Sequence, residues 1–191
     1  MGQLTLILGG SRSGKSTYAE RLATQNSPRV AYIATAQALD EEMEARIAMH
    51  RQKRPTSWQT LEIPAGVGQA IQSDPPEVDV IILDCLTLLV SNLLLQVFPN
   101  PNELPEGQSA SEKQAMELVD REISQLQEVI QGSRANWIVV SNEIGMGLVP
   151  PYPLGRIYRD LLGRTNQRLA SIADQVYFMI AGIPMRLAPE L

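Results

Sequence analysis

The chain has 191 residues, a formal net charge of −5 and 44% hydrophobic residues, which suits one α/β domain over 1–191 with a sizeable core. An acidic balance, with an isoelectric point near 5.0, argues against a nucleic-acid surface, which needs clustered Lys and Arg against phosphate. The single cysteine, Cys85, excludes an internal disulfide and a cysteine-based zinc cage and suits a reducing, cytoplasmic setting.

The first apolar run, residues 4–8, predicts a buried strand where a secretory signal would need a basic segment and a longer hydrophobic stretch. It leads into Gly9-Gly10-Ser11-Arg12-Ser13-Gly14-Lys15-Ser16, which matches GxxxxGK[ST], the loop that wraps backbone amides around nucleotide phosphates. Tyr18, Ala19, Leu22 and Ala23 then recur at helical spacing over 15–24. Strand, glycine-rich loop and helix N-terminus, in that order, make an anion site. Lys15 is expected to reach the terminal phosphates, and Ser16 to ligate a magnesium ion bridging them.

A second strand is predicted at 30–34 and a helix at 40–53. That helix carries His50, the chain's single histidine. Met43, Ile47 and His50 are spaced i, i+4, i+7 and share a face. On spacing alone a histidine on such a face is more often a packed core residue than a catalyst, but its surroundings weaken that reading. The surrounding Arg46, Arg51, Lys53 and Arg54 would lower an imidazole pKa, keep it neutral and nucleophilic, and attract phosphate. The same cations also complement a helix C-terminus.

The strand predicted at 78–83 leads to Asp84, placed to hold a magnesium shell beside a nucleotide crevice. Residues 80–98 approach the length of a membrane span, but Asp84, Thr87, Ser91, Asn92 and Gln96 favour a buried strand and helix, the latter at 86–97. Residues 98–111, rich in Pro, Asn and Gly, predict a mobile surface loop, either a lid or a plain connection. Ser111 and Gln114 form a capping-box signal for a helix at 112–131, ended by Gly132. A strand at 137–141 precedes Asn142-Glu143-Ile144-Gly145-Met146-Gly147, which topology would set at the crevice. A helix at 154–173, dotted with Arg156, Arg159, Arg164 and Arg168, and a strand at 176–181 complete the chain. The alternation predicts an α/β fold in three layers, a mostly parallel doubly wound sheet flanked by helices, of the RecA-like P-loop NTPase kind.

The segments GGSRSGKS (9–16), YIATA (32–36), DEEMEARIAMHRQKRPTSW (40–58), NEIGMGLVP (142–150) and GRTNQRLA (163–170) resemble the bifunctional adenosylcobinamide kinase / adenosylcobinamide-phosphate guanylyltransferase family of cobalamin biosynthesis. The resemblance implies two reactions on one nucleotide site. A nucleoside triphosphate, ATP or GTP, phosphorylates adenosylcobinamide. GTP then gives GMP to His50, and GMP passes to adenosylcobinamide phosphate to form adenosylcobinamide-GDP. It implies nucleotide contacts at Gly9, Gly10, Ser11, Arg12, Ser13, Gly14, Lys15, Ser16, Ala34, Thr35, Ala36, Arg51, Gln52, Lys53, Arg54, Glu62 and Asp84, with Mg2+ at Ser16 and Asp84. It further implies a homo-oligomer, a trimer. Some relatives carry a second histidine where Met49 stands and a glutamate where Asp84 stands. Two other classes fit the phosphate loop: a small-molecule kinase with a structural His50, and a RecA-like nucleotide-dependent switch.

Overall fold

Runs such as Leu6-Ile7 and Val80-Ile81-Ile82-Leu83 leave a strand with no polar face, so each must be covered on both sides. The computed structural model shows this arrangement; it describes residues 1–38, 41–99 and 108–187, without the side chains at 42, 46, 50, 53, 108 and 109. In chain order the elements are β1 (Leu4–Gly9), α1 (Lys15–Asn26), β2 (Val30–Ala34), α2 (Glu41–Lys53), β3 (Gln59–Glu62), α3 (Val67–Ser73), β4 (Val80–Asp84), α4 (Leu86–Val97), α5 (Gln108–Gly132), β5 (Asn136–Val140), α6 (Pro153–Ala170), β6 (Gln175–Ile180) and β7 (Ile183–Leu187). The strands form one sheet in the order β3-β2-β4-β5-β1-β6-β7. All pairings are parallel except β6 with β7.

Alternation along the strands divides the interior into two cores. Leu4, Leu6, Ala31, Ile33, Ile81, Leu83, Trp137 and Val139 face the larger one, shared with α3, α4, α5 and α6. Ile7, Val30, Tyr32, Val80, Ile82, Ile138 and Val140 face the other, closed by Tyr18, Ala19 and Ala23 of α1 and by Trp58. The result is an α/β sheet with helices on both faces.

The stretch 80–98 divides as a strand and a helix. Leu86, Leu89, Val90, Leu93 and Leu94 of α4 are buried, and no described helix is long and apolar enough to cross a membrane. The apolar surface of α4 is thus spent on the core.

Two expectations are corrected. Ser111 does not cap α5, because the helix already includes Gln108 and an N-cap needs non-helical backbone. Residues 110–115, with Ala, Glu, Lys and Gln among them, sustain helix well and carry it past the cap signal. The predicted 98–111 loop is also shorter than drawn: Phe98 is buried, 108–111 are helical, and 100–107 lie outside the described residues.

Candidate active site

The phosphate loop forms because its glycines accept backbone that other residues resist. Gly9 and Gly14 adopt φ of 150° and 92°. A Cβ on Gly9 would stand 2.6 Å from the Met179 carbonyl oxygen, and one on Gly14 would stand 3.2 Å from Gly182 Cα. Gly182 N–H in the β6–β7 turn donates to Ser13 O at 3.0 Å, tying the loop to the strands beside β1. Arg12 also holds a left-handed φ of 56°, the kind of strain that persists where surrounding structure imposes it. Gly14 is the N-cap of α1, so first-turn N–H groups have no helical carbonyl to bond and open toward the cleft.

Lys15 is 7% exposed and donates through Nζ to Gly10 O at 2.6 Å. Burial lowers its pKa, while the neighbouring Cys85 and Asp84 act in the opposite sense. The ammonium thus folds back on its own loop, in place to turn toward a phosphate. Ser13 Oγ is buried without a hydrogen-bond partner, an acceptor and donor that the folded chain alone does not satisfy.

From the middle of β2, Tyr32 Oη donates to Asp84 Oδ2 at the C-terminal end of β4. Burial, then the Asp84 charge, pushes the Tyr32 phenol far above its usual range, so it is a fixed donor to that carboxylate. The Arg54 guanidinium lies 3.4 Å from the Tyr32 ring centroid, a cation–π stack. Burial, then the Asp84 charge, pushes the Cys85 thiol up to about 12, which rules it out as a thiolate nucleophile near neutral pH.

These groups share one cleft of about 560 Å³, a volume typical of small-molecule sites. Ser11, Arg12, Ser13, Gly14, Lys15 and Ser16 line it, as do Ala34, Ala36, Arg54 and Asp84. Of the other expected residues, Gly9 ends β1 and Gly10 O accepts from Lys15 within the loop, and neither is among the lining residues. Thr35 is fully buried, its Oγ1 donating to Cys85 O at 2.7 Å and accepting from Cys85 N–H at 2.8 Å. Arg51 and Glu62 form an exposed ion pair at 3.5 Å and, with Gln52, are not among the lining residues. The side chains of Arg46, His50 and Lys53 lie outside the described ones. Their helix does not: Met43 and Ile47 of α2 line the cleft, and position 50 follows on that face.

The site also holds residues that motif reading passed over. Tyr32 sat within an apolar strand run and Thr87 at a helix start, so neither carried a signal without the fold. Asn142 lines the cleft as expected of its place after β5, and its N–H donates to Thr87 Oγ1 at 2.7 Å. Glu143 turns away: its carboxylate accepts from Gly145 N–H at 2.7 Å and Met146 N–H at 3.2 Å.

No cluster of three or more His, Cys, Asp or Glu gathers among the described residues to hold a metal. Ser16 and Asp84 nevertheless bring hard oxygen donors into one cleft. Such a sparse donor set fits Mg2+, which keeps several waters and takes its remaining ligands from substrate phosphates.

Comparison with known proteins agrees with this architecture. Residues 5–187 match the model of the family described as cobinamide kinase / cobinamide phosphate guanyltransferase. The bifunctional adenosylcobalamin biosynthesis protein CobU of Salmonella typhimurium is 41% identical over 184 residues, 96% of this chain and 99% of the relative. CobU of Escherichia coli is 41% identical with the same coverage. The bifunctional adenosylcobalamin biosynthesis protein CobP of Pseudomonas aeruginosa is 42% identical, over 97% of each chain. A cleft built by a phosphate loop and an acidic strand end, matched to these relatives over nearly its whole length, places the chain in the cobinamide kinase / cobinamide phosphate guanyltransferase family.

Proposed function

We propose that one nucleotide cleft serves two successive transfers: phosphorylation of adenosylcobinamide by ATP or GTP, then transfer of GMP from GTP through His50 to adenosylcobinamide phosphate. The product is adenosylcobinamide-GDP, an intermediate in assembling the cobalamin nucleotide loop. The observation that carries this reading is the position of α2, whose Met43 and Ile47 line the cleft that the phosphate loop builds. That position supports a role for His50 at the nucleotide rather than in a distant core.

In the first transfer the acceptor hydroxyl oxygen attacks the γ-phosphorus and gives up its proton to solvent, the bridging P–O bond breaks, and the nucleoside diphosphate leaves. In the second, an imidazole nitrogen of His50 attacks the α-phosphorus of GTP as the bridging P–O bond breaks and pyrophosphate departs. A phosphate oxygen of the acceptor then attacks that phosphorus, and the N–P bond pair returns to the imidazole. Covalent catalysis divides one displacement between two bulky anions into two easier ones. Lys15 and the first-turn amides of α1 stabilise charge on the transferring and departing groups. Ser16 and Asp84 would hold Mg2+, which neutralises phosphate charge when bound.

Position of β5 between β1 and β4, with the phosphate loop after β1, supports the RecA-like, three-layer P-loop reading of the fold. The same reading takes 1–191 as one domain acting in the cytoplasm as a homo-oligomer, a trimer by family resemblance. GTP labelled at the α-phosphate tests the chemistry. Label is expected on the protein, stable to base and lost in acid, and it should move to the corrinoid on a chase with adenosylcobinamide phosphate. A protein that phosphorylates the corrinoid yet never carries GMP is a kinase alone and contradicts the proposal.

A further inference from the structure

The loop between β5 and α6 is built inside out. Its polar groups are consumed internally: Glu143 accepts from Gly145 and Met146 N–H groups, Arg159 Nη2 donates to Gly145 O at 2.8 Å, and Arg156 Nη1 donates to Pro151 O at 2.8 Å. Ile144 packs against the core, but the apolar side chains beyond it point to solvent: Leu148 is 97% exposed, Met146 78%, Val149 63% and Tyr152 60%. Loops ordinarily show the reverse, and a contiguous exposed apolar patch held by its own polar scaffold marks a binding surface. The arginine bonds fix the loop in advance, which lowers the entropy lost when something binds to it.

Location selects the occupant. The loop begins at Asn142, a lining residue of the cleft, and so stands on the rim at the C-terminal ends of the strands, where open α/β sheets bind ligands. The cleft, at about 560 Å³, has room for a nucleoside triphosphate but not for a corrin macrocycle beside it. Only the acceptor's reacting hydroxyl or phosphate can enter. Its macrocycle must rest on the rim, and the methyl-bearing periphery of a corrin ring suits Leu148, Val149, Met146 and the Tyr152 ring.

We infer that the exposed loop at 146–152 is the rest for the macrocyclic body of the cobinamide acceptor, orienting its side chain into the nucleotide cleft. The inference depends on the proposed two-step activity. Its test is a spectroscopic titration of wild type and the double variant Leu148→Ser/Val149→Ser with adenosylcobinamide phosphate. GTP affinity and thermal midpoint, measured alongside, report folding. The variant is expected to bind the corrinoid about tenfold more weakly or worse, since two apolar contacts are lost, with GTP affinity and subunit number unchanged. Leu148→Met/Val149→Ile, which keeps an apolar surface, is expected to bind as wild type does.

Equal corrinoid affinity in the serine variant overturns the inference, and so does a change in subunit number, which would make the loop a contact between copies of this chain. A wild type that binds no corrinoid refutes the proposed activity itself, and the inference falls with it. Wild-type binding with an unaffected serine variant refutes the loop alone.

Discussion

Lys15 shows how a single residue is held between two demands. Burial disfavours its ammonium, while the phosphates it is placed to meet favour it. The two demands give opposite pH dependences. In the ligand-free protein the folded pKa is depressed, so the unfolded chain binds more protons in the window between the folded pKa and the ordinary value of 10.5; stability conferred through this group therefore rises as pH rises through that window. Nucleotide affinity moves the other way, falling as the ammonium loses its proton below the ordinary lysine range. Loss of that charge should weaken ATP binding roughly tenfold, the scale of a hydrogen bond to a charged group. Titrating ATP affinity from neutral pH upward, in wild type and in Lys15→Arg, checks this: a downward slope confined to wild type is expected. Parallel slopes would mean that Lys15 does not contact phosphate. At this scale the sequence was informative for motif residues, since Gly9, Gly14 and Lys15 act through the backbone geometry that the motif encodes. It was silent on Tyr32, whose contact with Asp84 spans two strands far apart in sequence.

Elements were legible in proportion to their burial. The five strands with continuous apolar runs are all present, as are the long helices around them. β3, α3 and β7 escaped notice for physical reasons. Gln59–Glu62 is a short edge strand with only partial burial, so no alternation is visible. Ile183–Leu187 is an edge strand containing Pro184, a residue that sequence reading takes as a break but that an edge tolerates. Seven-residue α3 is too short to show a period, and contacts with α5 hold it. Gly66 and Val67 N–H groups both donate to the buried Glu122 carboxylate at 2.8 Å, and a Cβ on Gly68 would lie 2.6 Å from the Gln125 backbone. Gly68→Ala should force the helices apart and cost about 1–3 kcal/mol, the usual range for overpacking a core, seen as a lower urea midpoint. An unchanged midpoint would show that α3 packs on α5 loosely. Arginines of α6 act as ties: Arg168 bonds Asp120, Ser124 and Gln127 of α5, and Arg159 bonds Gly145 O.

On the scale of the whole molecule, the fold brings distant segments to one end of the sheet. The phosphate loop after β1, Asp84 after β4, Asn142 after β5 and the α2 face with Met43 and Ile47 come from four separate stretches of chain and line a single cleft. The acidic net charge is compatible with a phosphate site because the attraction is local, supplied by Lys15, Arg12, Arg54 and the α1 N-terminus rather than by the surface as a whole. Spacing alone left open whether the histidine helix belongs to this site or to the core, and the family resemblance pointed to the site. The two lining residues on that helix favour the site.

The central claim is that His50 carries GMP, and the most direct measurement is protein labelling by α-labelled GTP in His50→Ala beside wild type. The account predicts no labelled variant and no adenosylcobinamide-GDP, with nucleotide still bound and the corrinoid still phosphorylated. A His50→Ala protein that takes up GMP as wild type does would contradict it.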